Sequence, residues 1–332
     1  MYRINNDLPG ETVKLDVKDK KILEILSKNS RITISQLARE IRLSRDTVDY
    51  KIKRMQDLNV ILQFYPVINF RKMKYMVFHV FINIDESDKK RQGEFMEVLK
   101  NHPNIYRVME YSDQWDYEFV LISKTMEEFN QSIAQITYEF SDIILEKSKL
   151  VKMETYFSTL LPYKFHTKYK VEKAHINDII LDNKDIKILH HLSKNCRQST
   201  YEISKKIQMS PDAIGLRIKK MYNSGIIEKF TILVNFTNLD FNWYTLVVRV
   251  KFFDRDSELK FREFIKYHEY IVRAVKTLGM WDLLIYVIAD NSRIFHKTVK
   301  HIKTEFANII RNYGTFAAYK EHVFNAMPKV IG

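Results

Sequence analysis

The sequence of 332 residues has few of the residues that several common kinds of site require. Its single cysteine, Cys196, excludes an internal disulfide and a zinc site built from cysteines, and we expect it to be a small, partly buried side chain. Only 7 glycines are present, and no GxGxxG string and no GxxxxGK string followed by Ser or Thr occurs, which excludes the usual nucleotide-binding loops. No apolar run approaches the roughly 18 residues of a membrane span, so no membrane contact is expected.

Targeting and metal-binding patterns are also missing. No apolar stretch follows Arg3 near the start of the sequence, which is unlike a secretory signal, and we expect a cytoplasmic location. His190 and His191 are adjacent, and His296 and His301 are five residues apart, neither of which is a convincing metal spacing. The sequence therefore predicts neither a metal site nor a cofactor.

The charge of the sequence is strongly basic, with 54 Lys and Arg against 41 Asp and Glu and a net charge of +13. Residues 14–72 carry 14 basic and 7 acidic side chains, and residues 181–238 carry 10 and 5, so both segments are positive. Residues 73–162 have a net charge of −5, whereas residues 239–332 have +5. The basic balance favours an anionic partner such as nucleic acid. The opposite charges of the last two segments either favour their pairing or belong to ordinary solvated faces.

The second half of the sequence repeats the first at an offset of 166 residues. The segment LDVKDKKILEILSKNSRI in the first half resembles LDNKDIKILHHLSKNCRQ in the second. Between residues 15–70 and 181–236, 22 of the 56 aligned pairs are identical, and the match persists at the same offset as far as Pro162 and Pro328. We interpret this pattern as a tandem duplication of one unit.

The front part of each unit has the apolar spacing of three short helices. In the first unit Ser44 is placed to cap the third helix, whose Val48, Ile52 and Met55 recur at i, i+4 and i+7 as a buried stripe. Ser210 repeats this cap in the second unit. A short strand follows in each unit and is suited to a wing hairpin.

The back part of each unit has the pattern strand, helix, strand, strand, helix, strand, which is the ferredoxin-like βαββαβ order. The predicted fold class is α+β, with a tandem repeat of a winged helix-turn-helix domain followed by a ferredoxin-like domain. The predicted segments are an N-terminal tail at 1–13, winged helix-turn-helix domains at 14–72 and 181–238, ferredoxin-like domains at 73–162 and 239–332, and a linker at 163–180.

The outward face of each third helix fits the major groove of double-stranded DNA, where base edges are accessible. Arginine can hold guanine with two hydrogen bonds, whereas lysine and threonine mostly contact phosphates. The candidate DNA-binding residues are Arg45, Thr47, Tyr50, Lys51, Lys53 and Arg54 in the first unit and Arg217, Lys219 and Lys220 in the second. The alternative is that they are ordinary solvated helix residues. Because the two helices differ, the expected site is an imperfect palindrome.

Both units resemble the Lrp/AsnC (feast/famine) family of bacterial and archaeal transcription regulators. The resemblance lies in the LDxxDxxIL string of the first helix, in Ile34–Ile41 followed by Leu and Ser, and in Val48, Ile52 and Met55 before Ile61. It covers nearly the whole chain twice, whereas an ordinary member has one unit. The resemblance implies a fused pair that acts as a pseudo-dimer, with RAM-type sheet domains that pair through their sheets and assemble into larger homo-oligomers.

The family resemblance also implies a small effector, such as an amino acid, held between sheet domains near a glycine that shortly precedes an aspartate. Gly279 and Asp282 fit this pattern in the second unit. In the first unit Asp113 stands where the glycine is expected, before Asp116, which speaks against a ligand site there. The alternative role of Gly279 is a tight turn between two strands.

The chain also resembles the siroheme decarboxylases of haem biosynthesis, which share this fold and act as paired subunits, and this is the alternative function. Those enzymes carry a histidine-rich strand motif, but the equivalent strands here, at 105–111 and 271–276, contain no histidine. We therefore expect no enzymatic activity. Arg107 and Arg273 occupy equivalent positions on these strands, and each either binds an anion or pairs with a neighbouring carboxylate.

Overall fold

Both halves of the chain contain the same order of helices and strands, as the repeat predicts. The computed structural model describes residues 3–5, 12–159, 161–162 and 179–332, so most of the predicted linker at 163–180 lies outside the described residues. The first unit contains α1 (Val17–Lys28), α2 (Ile34–Ile41), α3 (Arg45–Asp57), β1 (Ile61–Ile68), β2 (Met76–Ile84), α4 (Lys89–Asn101), β3 (Ile105–Tyr111), β4 (Tyr117–Ser123), α5 (Met126–Thr137) and β5 (Ile144–Ser158). The second unit contains α6 (Asn183–Lys194), α7 (Thr200–Ile207), α8 (Pro211–Asn223), β6 (Ile227–Val234), β7 (Asn242–Val250), α9 (Arg255–Tyr267), β8 (Ile271–Leu278), β9 (Leu283–Ala289), α10 (Ser292–Glu305) and β10 (Ile310–Phe324). The predicted α+β fold class is confirmed.

Side-chain caps define where the helices of the two helical modules begin. The carboxylates of Asp16 and Asp182 accept hydrogen bonds from the third residue of α1 and α6, at 2.7 and 2.9 Å. Ser44 and Ser210 cap α3 and α8 in the same way, at 3.1 and 3.2 Å. Each cap satisfies a backbone N–H that has no partner within its own helix and contributes about 1 kcal/mol. Pro211 follows its cap at the first helical position, where no N–H is needed.

The strand after each third helix pairs across the two units instead of forming a hairpin within its own unit. β1 runs antiparallel to β6, and Pro66 lies opposite Phe230. The wing hairpin suggested by the sequence is therefore not formed in the described residues. Each unit offers one strand before the chain enters a short 3-10 turn, at Phe70–Met73 or Thr237–Leu239, so the open strand edge takes its partner from the other unit.

Cys196 lies buried where the two helical modules meet. Its Sγ is 3.1 Å from the Oγ of Ser30, and residues 30 and 196 occupy the same position in the two repeats. Arg197 donates to the backbone carbonyl of residue 30 at 2.7 Å, and Arg31 makes the equivalent bond to the carbonyl of residue 196. A local pseudo-two-fold axis therefore passes between these residues. Burial raises the pKa of the Cys196 thiol to about 11, so it is protonated at neutral pH.

The remaining eight strands close into one antiparallel sheet, which we call the central sheet. Its order is β10, β3, β4, β2, β5, β8, β9 and β7, which returns to β10. Each unit contributes four strands, and the units join where β5 meets β8 and where β10 meets β3. The two junctions have the same register, because Glu154 lies opposite Lys276 and Lys320 lies opposite Glu110. The two ferredoxin-like units thus share one hydrogen-bonded sheet.

The three large hydrophobic cores of the described residues follow from the alternation of side chains along the strands. On the outer face, α4 and α5 cover the first unit, where Phe78 stacks on Phe129 with ring centres 3.9 Å apart. Tyr244 and Phe295, at the equivalent positions, stack at 4.1 Å under α9 and α10. Residues on the opposite face of the strands, such as Phe81, belong to a core that continues into the helical modules. The central sheet and the helical modules are therefore packed as one body.

Residues 3–5, part of the predicted N-terminal tail, lie against the last strand. Asn5 bridges to Lys320, and Ile4 is buried. The Nε of Arg3 donates to Glu321 at 2.9 Å, and both side chains are buried. This short segment is therefore anchored on β10 by a buried ion pair.

Candidate functional site

The third helix of each unit buries one apolar stripe, and this fixes which of its side chains face outward. The stripe packs against the preceding helix and the following strand. The buried residues are Val48, Ile52 and Met55 on α3 and Ile214, Ile218 and Met221 on α8. The spacing predicted from the sequence therefore agrees with the observed packing.

Four predicted contact residues of α3 lie on its outward face or beside it. Arg45 and Tyr50 are exposed, and Tyr50 has 66% of its surface accessible. Within the described parts of the chain, Arg45 has no ion-pair partner. Lys53 is exposed and forms an ion pair with Asp49 one turn earlier, at 2.7 Å. Thr47 is half-buried, and its hydroxyl lies 2.7 Å from the hydroxyl of the capping serine.

Lys51 and Arg217, also predicted as DNA contacts, are paired within the chain. The Nζ of Lys51 lies 2.6 Å from Asp16 and 2.9 Å from Asp19 at the start of α1. Arg217 makes the equivalent contacts to the two carboxylates at the start of α6, both at 2.8 Å. Hydrogen bonds to these carboxylates raise the pKa of both basic groups. Their contact with DNA stays a prediction, and in this structure both groups are engaged by carboxylates of the first helix of their unit. Arg54 is less engaged, since its guanidinium lies 3.7 Å from Asp19.

The outward face of α8 differs from that of α3. Lys219 and Lys220 are exposed, as expected, and no ion pair of either is present in the described chain. Leu216 was not among the predicted contacts, but it is 69% exposed at the position equivalent to Tyr50. The available signal was its spacing, because Leu216 falls between the stripe positions of α8. The two helices therefore present an exposed tyrosine and an exposed leucine at the same place.

The predicted effector residues of the second unit have structural contacts that explain them. Gly279 has a φ of 147°, and an added Cβ would lie 2.6 Å from the carbonyl oxygen of Lys149 and from the side chain of Leu150. Glycine is therefore required at this turn for backbone conformation and for close approach to β5. The carboxylate of Asp282 accepts a hydrogen bond from the backbone N–H of Val250 at 2.8 Å.

The first unit shows the same arrangement with one difference. Asp116 accepts a hydrogen bond from the backbone N–H of Ile84 at 2.7 Å, which matches the bond of Asp282. Asp113, which replaces the glycine, accepts a hydrogen bond from the backbone N–H of Ala317 on β10. Both turns are therefore tied to the strand of the other unit, one by a carboxylate and one by close backbone packing.

A buried polar cluster lies inside the central sheet, centred on Glu118. Its carboxylate accepts hydrogen bonds from His79 Nδ1 at 2.6 Å, Tyr111 OH at 2.7 Å, Arg107 Nη2 at 3.0 Å and Tyr286 OH at 3.2 Å. Burial alone raises the pKa of Glu118, but Arg107 and His79 outweigh it and hold the pKa well below its usual range. Glu118 is therefore ionised. Burial, with nearby Arg273 and Arg107, lowers the pKa of His79, whose imidazole is neutral at pH 7.

Arg107 and Arg273, at equivalent positions in the two units, have different surroundings. The sequence left two roles open for each, anion binding or pairing with a carboxylate, and in the described chain only one of them has a carboxylate partner. Arg107 pairs with Glu118. The residue equivalent to Glu118 in the second unit is Leu284, and no carboxylate of the described chain pairs with Arg273. The Nε of Arg273 has no hydrogen-bond partner, and its guanidinium lies 5.7 Å from the ring centre of Tyr286. The two arginines were recognisable from the sequence, but their partners were not, because the members of this cluster alternate with apolar residues on separate strands.

Two further properties concern the described residues alone. None of their helices combines the length and the apolar character that a membrane crossing requires. Their His, Cys, Asp and Glu side chains form no group of three or more that could hold a metal ion.

Comparison with known proteins identifies both helical modules. Residues 15–61 match a family model described as winged helix-turn-helix DNA-binding, and residues 181–222 match the AsnC-type helix-turn-helix domain. An HTH-type transcriptional regulator of Pyrococcus horikoshii is 34% identical over 116 residues, which are 34% of this chain and 76% of that protein. The HTH-type transcriptional regulator FL11 of Pyrococcus furiosus is 30% identical over 125 residues, which are 37% of this chain and 80% of that protein.

A solved structure resembles the whole chain. The siroheme decarboxylase NirDL, in complex with an iron-uroporphyrin III analogue, superposes with a TM-score of 0.62 over 94% of each chain, at 12% sequence identity. At this identity the similarity establishes the fold alone. The helix-turn-helix modules and the regulators that match at 30% identity or more establish the family. The chain belongs to the Lrp/AsnC family of helix-turn-helix transcriptional regulators.

Proposed function

We propose that a single chain binds double-stranded DNA as a pseudo-dimer, with α3 and α8 as two different recognition helices. The observation that carries this proposal is the set of exposed basic side chains on the outward faces of both helices, beside a fully buried stripe. Arg45, Lys219 and Lys220 have no ion pair in the described chain, so their charges are free to meet phosphates or base edges.

The chemistry of the side chains separates those that suit contacts to base edges from those that suit contacts to phosphates. Arg45 and Tyr50 are proposed to contact base edges, because they are exposed near the N-terminal half of α3. Thr47, Lys53 and Arg54 are proposed to contact phosphates in the first unit, as are Lys219 and Lys220 in the second. Lys51 and Arg217 are proposed as positioning residues that hold each recognition helix against the first helix of its unit.

The two recognition helices are proposed to read different half-sites. Arg45 is replaced by Pro211 at the equivalent position, and Tyr50 is replaced by Leu216. An arginine can hold guanine with two hydrogen bonds, whereas a leucine offers only apolar contact, for example with a thymine methyl group. The expected binding site is therefore an imperfect palindrome.

In vitro selection of DNA by the full chain tests this asymmetry. The wild type should select two unlike half-sites. A variant with Pro211→Arg, Leu216→Tyr and Lys220→Arg, which leaves the buried stripe of α8 intact, should shift the selected sequence toward two like half-sites. Symmetric half-sites for the wild type, or an unchanged selection by the variant, would contradict the assignment of these helices.

A binding measurement tests the individual side chains. The double variant Arg45→Ala with Arg54→Ala should lose selective binding, because each good base contact is worth about 1 to 3 kcal/mol of discrimination. The matched control is Arg249→Ala with Arg311→Ala, which removes two exposed arginines from the central sheet. Equal loss in both variants would show that total charge, and not the position on α3, determines binding.

Effector binding and further assembly belong to the same proposal. An amino acid effector near Gly279 and Asp282 is supported by the family resemblance, while the contacts of both residues serve the turn itself. Leu278 and Met280 are exposed beside this turn and offer an apolar surface for homo-oligomerisation. Light scattering with and without the twenty amino acids tests both the effector and the homo-oligomer. If both proposals hold, the assembly state depends on the residues of this turn.

The domain division at 14–72, 73–162, 181–238 and 239–332 and a cytoplasmic location also remain proposals. The alternation of helical modules with strands of the central sheet supports the division. The cytoplasmic location is supported by the proposed DNA partner, because the protein must be where it can reach DNA. Limited proteolysis tests the division, because the first cuts should fall between these segments.

The alternative function is a siroheme decarboxylase-like enzyme. One observation favours it, namely that His79 and Arg107 lie together beside a cavity in the central sheet. Titration of the protein with siroheme, followed by measurement of released carbon dioxide, separates the two functions. A tight stoichiometric complex that releases carbon dioxide would favour the enzyme.

A further inference from the structure

A cavity of about 530 Å³ lies between the paired strands β1 and β6 and one end of the central sheet. Its walls come from the helical modules, through β1, β6 and the turn after β1, and from β2, β3, β5 and β8 of the central sheet. Cavities of roughly 300 to 1,000 Å³ are typical of small-molecule sites. The cavity therefore has the size of a ligand site and joins the DNA-binding part of the chain to the central sheet.

The charges that line the cavity are mainly positive and in part unpaired. Arg273 and Lys152 are half-buried, Arg71 is exposed at the rim, and no ion pair of these three is present in the described chain. Of the two acidic residues in the lining, Glu154 is held by a guanidinium on α9 at 2.6 Å, and Glu228 is exposed on β6. Arg273, Lys152 and Arg71 thus place three positive charges at the cavity, where Glu228 is the lining carboxylate that has no ion pair in the described chain.

The electrostatic state of Lys152 agrees with this concentration of positive charge. Burial, together with the neighbouring Arg273 and Arg71, lowers the pKa of the Lys152 ammonium to about 8, although Glu228 opposes the change. An anion placed between these groups would raise that pKa again, because it favours the charged form. The cavity therefore holds cationic groups at a cost that an anionic ligand would relieve.

Several polar atoms of the lining have no hydrogen-bond partner. Nine buried side-chain nitrogen or oxygen atoms of the described residues are unpartnered, and four belong to residues that line this cavity. These four are His79 Nε2, Arg107 Nε, Trp243 Nε1 and Arg273 Nε. These four atoms have almost no accessible surface, so they lie behind the wall of the cavity and are not contacts for a ligand inside it.

The remaining walls of the cavity are largely apolar. Phe70, Val120, Val151, Val234 and Val272 contribute to the lining without any polar side-chain atom. A small inorganic anion would leave these surfaces uncovered. A ligand with an apolar body would cover them and bring its acidic groups to the arginines and the lysine.

We propose that this cavity binds a small amphipathic polycarboxylate, an organic molecule with an apolar body and at least two carboxylate groups. Arg273 and Lys152 hold the carboxylates. This site is separate from the turn of Gly279 and from both recognition helices. A ligand here contacts β1 and β6 as well as the central sheet, so its binding couples to DNA binding, and this last clause rests on the proposed function.

The experiment measures ligand binding to the full chain without DNA, so that its outcome is independent of the DNA-binding proposal. The probe is 2,6-naphthalenedicarboxylate, an aromatic dianion, titrated by calorimetry. The neutral analogue 2,6-naphthalenedimethanol has the same body, and citrate has the charge without the apolar body. We expect one site per chain for the aromatic dianion and weaker binding of both comparison compounds.

Variants locate the site. Arg273→Met and Lys152→Met each remove one charge and should weaken dianion binding about tenfold or more, while Arg273→Lys should retain part of the affinity. Arg249→Met is the matched control, because it removes an exposed arginine from the outer surface of the central sheet. Thermal melts establish that each variant is folded. Absence of dianion binding, equal binding of the neutral analogue, or equal affinities of Arg273→Met and Arg249→Met would overturn the proposal.

Discussion

The buried cluster around Glu118 makes a quantitative prediction about stability. The Glu118→Gln variant keeps the size of the side chain but removes its charge, which leaves the guanidinium of Arg107 buried without a counter-ion. Both side chains are at most 1% exposed, so water cannot replace the lost partner. Breaking a buried ion pair by removal of one member costs about 3 to 5 kcal/mol. We expect the lower end of this range, because glutamine retains one oxygen that can accept from Arg107 or Tyr111.

Tryptophan fluorescence during urea unfolding measures this loss directly. All three tryptophans, Trp115, Trp243 and Trp281, are buried in or beside the central sheet, so the signal follows this part of the molecule. The double variant Arg107→Met with Glu118→Gln removes the stranded charge together with its partner. It should therefore be more stable than the single Glu118→Gln variant.

The pH dependence gives a second readout with a defined sign. The pKa of Glu118 is lowered on folding, so its charge stabilises the folded state above the unfolded-state pKa of about 4.3, and this contribution is lost as the pH falls below that value. The advantage of the wild type over Glu118→Gln should shrink by about 1.4 kcal/mol per pH unit there, or about 2 kcal/mol by pH 3. A difference under 1 kcal/mol at pH 7, or one that does not depend on pH between 5 and 3, would refute the ion-pair account.

Two further predictions separate structural roles from functional ones. Arg217→Met should lower the free energy of unfolding by about 1 to 3 kcal/mol, because it leaves Asp182 and Asp185 without their cationic partner, and urea denaturation measures this. Its loss of DNA affinity should not exceed what the lower stability explains, and a selective loss in a folded variant would return Arg217 to the DNA contacts. Gly279→Ala should destabilise the protein by about 1 to 3 kcal/mol through strain at positive φ, whereas Gly93→Ala, on an open face of α4, should stabilise it by up to about 1 kcal/mol in the same melts.

The features that the sequence predicted well are those that depend on local patterns. The stripe of Val48, Ile52 and Met55 specifies one helix face through its spacing alone, and Ser44 specifies where that helix begins. The repeat at 166 residues then transfers each local inference to the second unit. Fold class and helix assignment were therefore predictable, because they require only residues that are near one another in sequence.

The features that escaped prediction depend on partners far apart in the chain. Lys51 looks like a free basic residue of α3 until α1 is placed beside it and Asp19 comes within 2.9 Å. The pairing of β1 with β6 joins residues that are more than 150 positions apart, and no periodicity specifies such a partner. Arg107 and Arg273 stand at equivalent positions of the repeat, and only the fold reveals which of the two guanidinium groups pairs with a carboxylate.

Fusion of the two units explains how such asymmetry can exist inside a symmetric architecture. In a homodimer of identical units, a residue near the two-fold axis occurs twice, so both arginines would face a glutamate or neither would. Here Leu284 stands at the position equivalent to Glu118, and Thr245 stands at the position equivalent to His79. Glu118 therefore pairs with Arg107, whereas Arg273 has no carboxylate partner in the described chain. The unpaired charge of Arg273 is therefore a consequence of divergence after duplication, and it lies on the wall of the cavity that joins the central sheet to the helical modules. The same divergence separates α3 from α8, so one chain presents two unlike third helices as well as two unlike arginine environments.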